Sequence, residues 1–79
     1  MIFDGFPNRQ AAEDFAEHIH TKYQRRTWIC DSQADSDELD PFPFMLNPPI
    51  VLVDRLEDSS GESRIERAVG KFGGRFAGT

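Results

Sequence analysis

One cysteine stands in 79 residues, Cys30, so the chain can close no internal disulfide and cannot build a zinc site from several thiolates. That usage suits a reducing compartment. Long apolar runs are missing as well: nothing approaches the ~20 residues that a membrane-spanning helix needs. Met1-Ile2-Phe3-Asp4 has neither the basic start nor the apolar stretch of a signal peptide. A cytoplasmic protein without membrane association is expected. Reaction motifs are absent too. There is no Ser/His/Asp arrangement, and Gly70, Gly73 and Gly74 follow a helical stretch instead of opening one, which makes them a cap and not a phosphate cradle. No cofactor is implied. A chain this short has little room for an enclosed active site, so a non-enzyme is expected.

Bases are scarce where acids are dense. The formal net charge of -5 is unevenly spread. Residues 1 to 30 are balanced, residues 31 to 62 carry nine acids against Arg55 alone, and residues 63 to 79 carry Arg64, Arg67, Lys71 and Arg75 against Glu66. An acidic body with one basic element is the result. Such a balance argues against general nucleic-acid binding, whose affinity comes largely from phosphate neutralisation.

Pro48 through Arg55 contains the one run able to form a strand buried on both faces, Ile50-Val51-Leu52-Val53. Around it the chain reads strand, helix, strand, irregular segment, strand, helix, strand. Met1 to Phe6 is a short strand. After Asn8, a good N-cap, Ala12, Phe15, Ala16, Ile19 and Tyr23 recur on one helical stripe, predicting a helix from about Arg9 to Tyr23 or Gln24. Thr27 to Cys30 is a second strand. The acidic stretch from Asp31 to Asp40 fits either a short helix capped by Asp31 or Ser32 or a loop. In Pro41 to Leu46, Phe42, Phe44 and Leu46 alternate with Pro43 and Met45, an extended edge strip that lays three side chains on the core.

Ser59 and Glu62 have capping-box spacing, and Ile65, Ala68, Val69 and Phe72 make a second helical stripe from about Ser60 to Phe72. Gly70 inside it suggests close approach of a neighbouring backbone, and Gly73-Gly74 suits a left-handed cap. Arg75 to Gly78 is a last strand. The order is that of a ferredoxin-like βαββαβ α+β sandwich, a single domain over residues 1 to 79 with a four-stranded antiparallel sheet and two helices on one face. The first and third strands are then central. A hairpin of Phe42 to Leu46 with Ile50 to Val53 is the rival topology, disfavoured because proline does not supply a primed turn.

His18 and His20 lie two apart on a helix and point in nearly opposite directions, so one ion cannot bridge them, and no metal site is expected. Cys30 reads as a structural thiol beside Trp28. Asp31, Gln33, Asp35 and Asp37 alternate like early calcium-loop ligands, but Ser36 occupies the glycine position and Phe42 the glutamate position of that motif. Two surfaces remain as binding candidates: the acidic residues Asp31, Asp35, Asp37, Glu38 and Asp40, and a basic ridge of Arg64, Arg67, Lys71 and Arg75 beside the second helical stripe. Central strands without base-stacking aromatics beyond Phe3 or Phe6 disfavour RNA recognition.

Through Asp40-Pro41-Phe42-Pro43-Phe44, Pro48 to Arg55 and the ending Phe72-Gly73-Gly74-Arg75-Phe76-Ala77-Gly78-Thr79, the chain resembles short uncharacterised proteins of bacteriophage and actinobacterial genomes. The resemblance brings no catalytic residue. It implies a small accessory protein of a mobile element that works by binding a host protein. An inhibitor, including an anti-CRISPR form whose acids imitate phosphates, is one version. The expected function is therefore a non-enzymatic protein-binding or regulatory protein. A homodimeric structural module is the alternative, and a small-ligand or enzymatic domain the third reading.

Overall fold

The computed structural model describes residues 1–54 and 59–78. It is an α+β structure with a four-stranded antiparallel sheet and three helices: β1 (Ile2–Asp4), α1 (Arg9–Tyr23), β2 (Thr27–Cys30), α2 (Gln33–Leu39), β3 (Ile50–Val53), α3 (Ser59–Val69) and β4 (Arg75–Gly78), with a 3-10 turn at Gly70–Phe72. The strands lie in the order β2-β3-β1-β4. β3 is therefore interior, which suits a run of four residues that are all buried.

Alternation along the strands divides the core. Ile29 pairs with Val51, and Phe3 also pairs with Val51. These three pack with Ala12, Phe15, Ala16 and Ile19 of α1 and Ile65 and Val69 of α3. Phe15 is the hub of this layer, with ring centroids 5.0 Å from Phe3, 5.5 Å from Phe6 and 5.6 Å from Phe72. On the alternate positions Ile2, Cys30, Ile50 and Leu52 form a second cluster, closed by Leu46 with Phe42 and Ala77 packed against it.

Helix α1 forms as its stripe predicts. Asn8 Oδ1 accepts from the Ala11 N–H at 2.8 Å, and Gln24 ends the helix at φ 54°. The acidic stretch resolves into α2, a third helix: the Ser32 hydroxyl accepts from the Asp35 N–H at 3.2 Å, so Ser32 and not Asp31 is the cap. The strip after it is not a strand. Leu46 is buried and Phe42 half-buried, but Phe44 is exposed, and the backbone is fastened by side chains instead of a ladder. Gln33 Nε2 donates to the Phe44 carbonyl at 2.7 Å, and Gln33 Oε1 accepts from the Leu46 N–H at 3.0 Å. The rival hairpin consequently does not form. The Pro48–Pro49 peptide is cis.

The second long helix ends earlier than its stripe, tightening to 3-10 geometry at Gly70 before Gly73 takes φ 81°. Gly70 faces open space, with nothing within 4 Å of an added Cβ, so the expected close approach is not there. It occurs at Gly74, where a Cβ would come within 2.8 Å of three ring atoms of buried Phe6. The polar connection from Leu56 to Asp58 lies outside the described residues, and Ser59, expected as the cap of the second helix, is already part of α3.

Asp4 is fully buried at the end of β1. Its Oδ1 accepts from Arg75 Nε at 2.7 Å, and its Oδ2 accepts from Arg75 Nη2 at 3.2 Å and from the Asn47 N–H at 2.8 Å. Asp4→Ala strands the Asn47 donor and removes a charge-assisted bidentate pair, so urea denaturation should show a loss of about 2–3 kcal/mol. The two glycines should separate in the same assay. Gly74→Ala is expected to destabilise by about 1–3 kcal/mol through overpacking on Phe6, whereas Gly70→Ala should stabilise by about 0.5–1 kcal/mol.

Candidate interaction surfaces

The five acids proposed for one surface fall into different environments. Asp31 bonds through Oδ1 to Arg9, which also pairs with Glu13 at 3.0 Å. Asp31 first, then Glu13, hold the Arg9 guanidinium above its ordinary value. Asp37 is half-buried and accepts from the Phe42 N–H at 3.3 Å, a structural duty that holds the start of the loop against α2. Asp35 and Glu38 are exposed on α2, and neither carboxylate has a partner among the described residues. Asp40 is half-buried at the helix end.

Asp40 opens onto a feature that the charge pattern did not reveal. Met1, Trp28, Leu39, Asp40, Leu52, Val53 and Asp54 line an apolar pocket of about 380 Å³. Trp28 pairs with Leu52 across β2 and β3, so both side chains leave the sheet on the side away from Ile29 and Val51, and Leu39 of α2 stands beside them. Trp28 is 37% exposed and Leu39 57%, and in the loop that follows Phe44 is 70% and Met45 87% exposed. Large apolar side chains left exposed in this way make this face a candidate contact surface. Period-two reading of Thr27 to Cys30 gives Trp28 its face, but only α2 packing makes a pocket of it.

The basic ridge is also redrawn. Arg75 leaves it: it lies on β4, and its bond to Asp4 raises its guanidinium above the ordinary value. Arg64, Arg67 and Lys71 remain, and α1 adds Lys22. With His18, Tyr23, Ala68 and Phe72 they line a groove of about 430 Å³ between α1 and α3. His18 packs its ring 5.5 Å from Phe72 and 6.3 Å from Tyr23, whereas His20 is exposed, with Nδ1 3.2 Å from the Arg25 carbonyl. Lys22 lies 5.7 Å from the Tyr23 ring centroid. Lys22, His18 and Tyr23 were not joined to this ridge by the sequence reading because they sit on the other helix.

Cys30 is buried in the second cluster, and its burial, followed by the Asp35 and Asp31 carboxylates, pushes the thiol up. No helix among the described residues is long and apolar enough to cross a membrane, and they hold no group of three or more potential metal-ligating side chains.

The folded chain keeps the Cys30 proton to higher pH than the unfolded chain. Its contribution to stability is thus complete below the unfolded thiol value and is lost as pH rises through the raised folded value. The urea midpoint should fall above about pH 8.5–9, and fall less in Cys30→Ala.

Comparison of the chain with family models, with curated proteins and with solved structures finds no match.

Proposed function

We propose that this protein is a non-enzymatic protein-binding module that takes a partner segment on the surface formed by α2 and the Trp28 pocket. The observation that carries the reading is an apolar pocket rimmed by carboxylates. Trp28, Leu39 and Leu52 offer a site for one large apolar side chain, and Asp40 and Asp54 at its margin, with Asp35 and Glu38 further along α2, favour basic residues beside that anchor. The partner's chemistry is accordingly a basic segment with an apolar anchor. Inhibition of a host protein is the biological form that the sequence resemblance favours.

The scaffold is read as ferredoxin-like. Support comes from the strand order β2-β3-β1-β4 and from α1 and α3 both packing on the cluster around Phe3 and Val51, with α2 as an addition after β2.

Trp28 is the chain's one tryptophan and lies in the proposed site, so its fluorescence reports occupancy directly. Peptides carrying a single large apolar residue flanked by Lys or Arg should change its emission and bind with salt-dependent affinity. Asp35→Lys with Glu38→Lys should weaken binding at least tenfold, as should Leu39→Ser. Equal affinity in the folded charge-reversal variant would remove this surface from consideration.

A further inference from the structure

Two groups of cations stand out among the described residues. Arg9 and Arg75 are neutralised by Glu13 with Asp31 and by Asp4. Arg64, Arg67, Lys71 and Lys22 instead surround one groove, and none has a carboxylate partner among the described residues. All four side chains are exposed. Four such bases at one place in a chain of net charge -5 create a local positive field on the α3 side of the rings of Tyr23 and Phe72, bounded along α1 by Asp14 and Glu17 in the adjoining hollow.

A segment of matching chemistry exists in the same sequence. The exposed face of α2 presents Ala34, Asp35, Glu38 and Leu39, acids beside small and branched apolar groups. The spacing agrees in antiparallel sense. Arg64 and Arg67 stand three residues apart on α3, and Glu38 and Asp35 stand three apart on α2. Two helices laid antiparallel would therefore place Glu38 at Arg64 and Asp35 at Arg67, with Lys71 and Lys22 adding to the positive field around them. Leu39 and Ala34 would lie along the apolar floor.

We infer that the groove between α1 and α3 receives the acidic face of α2 from a second copy of this chain. The contact cannot close within one molecule, because α2 packs on the sheet side that carries Trp28 and Leu52 while the groove belongs to the helices on the Val51 side. Nor can two copies make both contacts at once about a two-fold axis, because the α2 face and the groove lie on opposite sides of the sheet. Each copy has both a donor face and an acceptor groove, so the association is heterologous, giving a ring or an open chain of copies instead of a closed pair. The patch is small, and such a contact is weak and transient. It rests on the reading of α2 as a binding face, and a partner held at Asp35 and Glu38 would compete with it.

The test is mass by light scattering on the full chain at millimolar concentration. At about 50 mM salt the Debye length is about 14 Å, shorter than the 24 and 28 Å extents of the molecule, so net repulsion is damped while contact pairs are not. The expected result is an average mass that climbs past twice the 9.0 kDa monomer with concentration and returns to the monomer in about 0.5 M salt. Two neutralised variants sharpen this: Arg64→Gln/Arg67→Gln/Lys71→Gln removes the groove, and Asp35→Asn/Glu38→Gln removes the donor face. Each alone should remain a monomer, and their mixture should stop at a one-to-one pair, which also shows that both are folded. The groove variant should still bind the basic peptides detected by Trp28 fluorescence, so failure of self-association and failure of the proposed function register separately. A wild-type monomer throughout, association that survives neutralising the groove, or well-folded variants that do not pair would each overturn the inference.

Discussion

A carboxylate shut away from water must have its charge met by the protein, and at Asp4 three parts of the chain meet to do so. Asp4 ends β1, Arg75 begins β4 and Asn47 closes the loop before β3, so one side chain joins segments 43 and 71 residues apart. The Gly5 N–H also donates to the Asn47 carbonyl at 3.2 Å, which doubles the tie between β1 and that loop. Arg75 keeps much of its side chain in solvent while Asp4 has none. The desolvation cost therefore falls mainly on the carboxylate, and geometry offsets it through three directed donors. With β1 fixed between β3 and β4, Phe3 is held against Phe15 on one side of the sheet and Ile2 against Leu46 and Ile50 on the other.

Those two sides take different coverings, and the difference places the surfaces. α1 and α3 both contribute buried apolar residues to the cluster around Phe3 and Val51, and their bases line the groove between them. The other layer is covered by seven-residue α2 and a loop held through Gln33, Asp37 and Asn47. A short helix and a loop without a ladder cannot shield a whole sheet face. Trp28, Leu39, Phe44 and Met45 are accordingly left in contact with solvent, and the acids of α2 stand beside them. Negative charge with apolar groups on one face and positive charge with aromatic rings on another give the molecule a polarity that its net charge alone conceals.

Local signals carried much of the fold. The stripe from Ala12 to Tyr23 behind Asn8 had one consistent reading, as did the four apolar residues from Ile50 to Val53, because periodicity and capping act over a few residues. Pro41 to Leu46 read less well: alternation suggested three core contacts, yet Gln33 side-chain bonds hold the backbone in a path that buries Leu46 and releases Phe44. Gly70 was assigned the close approach that belongs to Gly74, four residues on, because a helical pattern continued past the point where the helix tightens.

By itself the sequence determined the order of the four strands and the two long helices, the interior strand, the two helical stripes and the unequal distribution of charge. All of these follow from spacing and composition along a short stretch. Tertiary structure alone decided which charges are free. It turned Arg75 and Asp37 into structural partners, left Asp35 and Glu38 exposed, and brought Lys22 to Arg64 and Trp28 to Leu39. The reason is physical: a charge is silenced or exposed by neighbours from distant parts of the chain, and such neighbours exist only after the sheet has assembled.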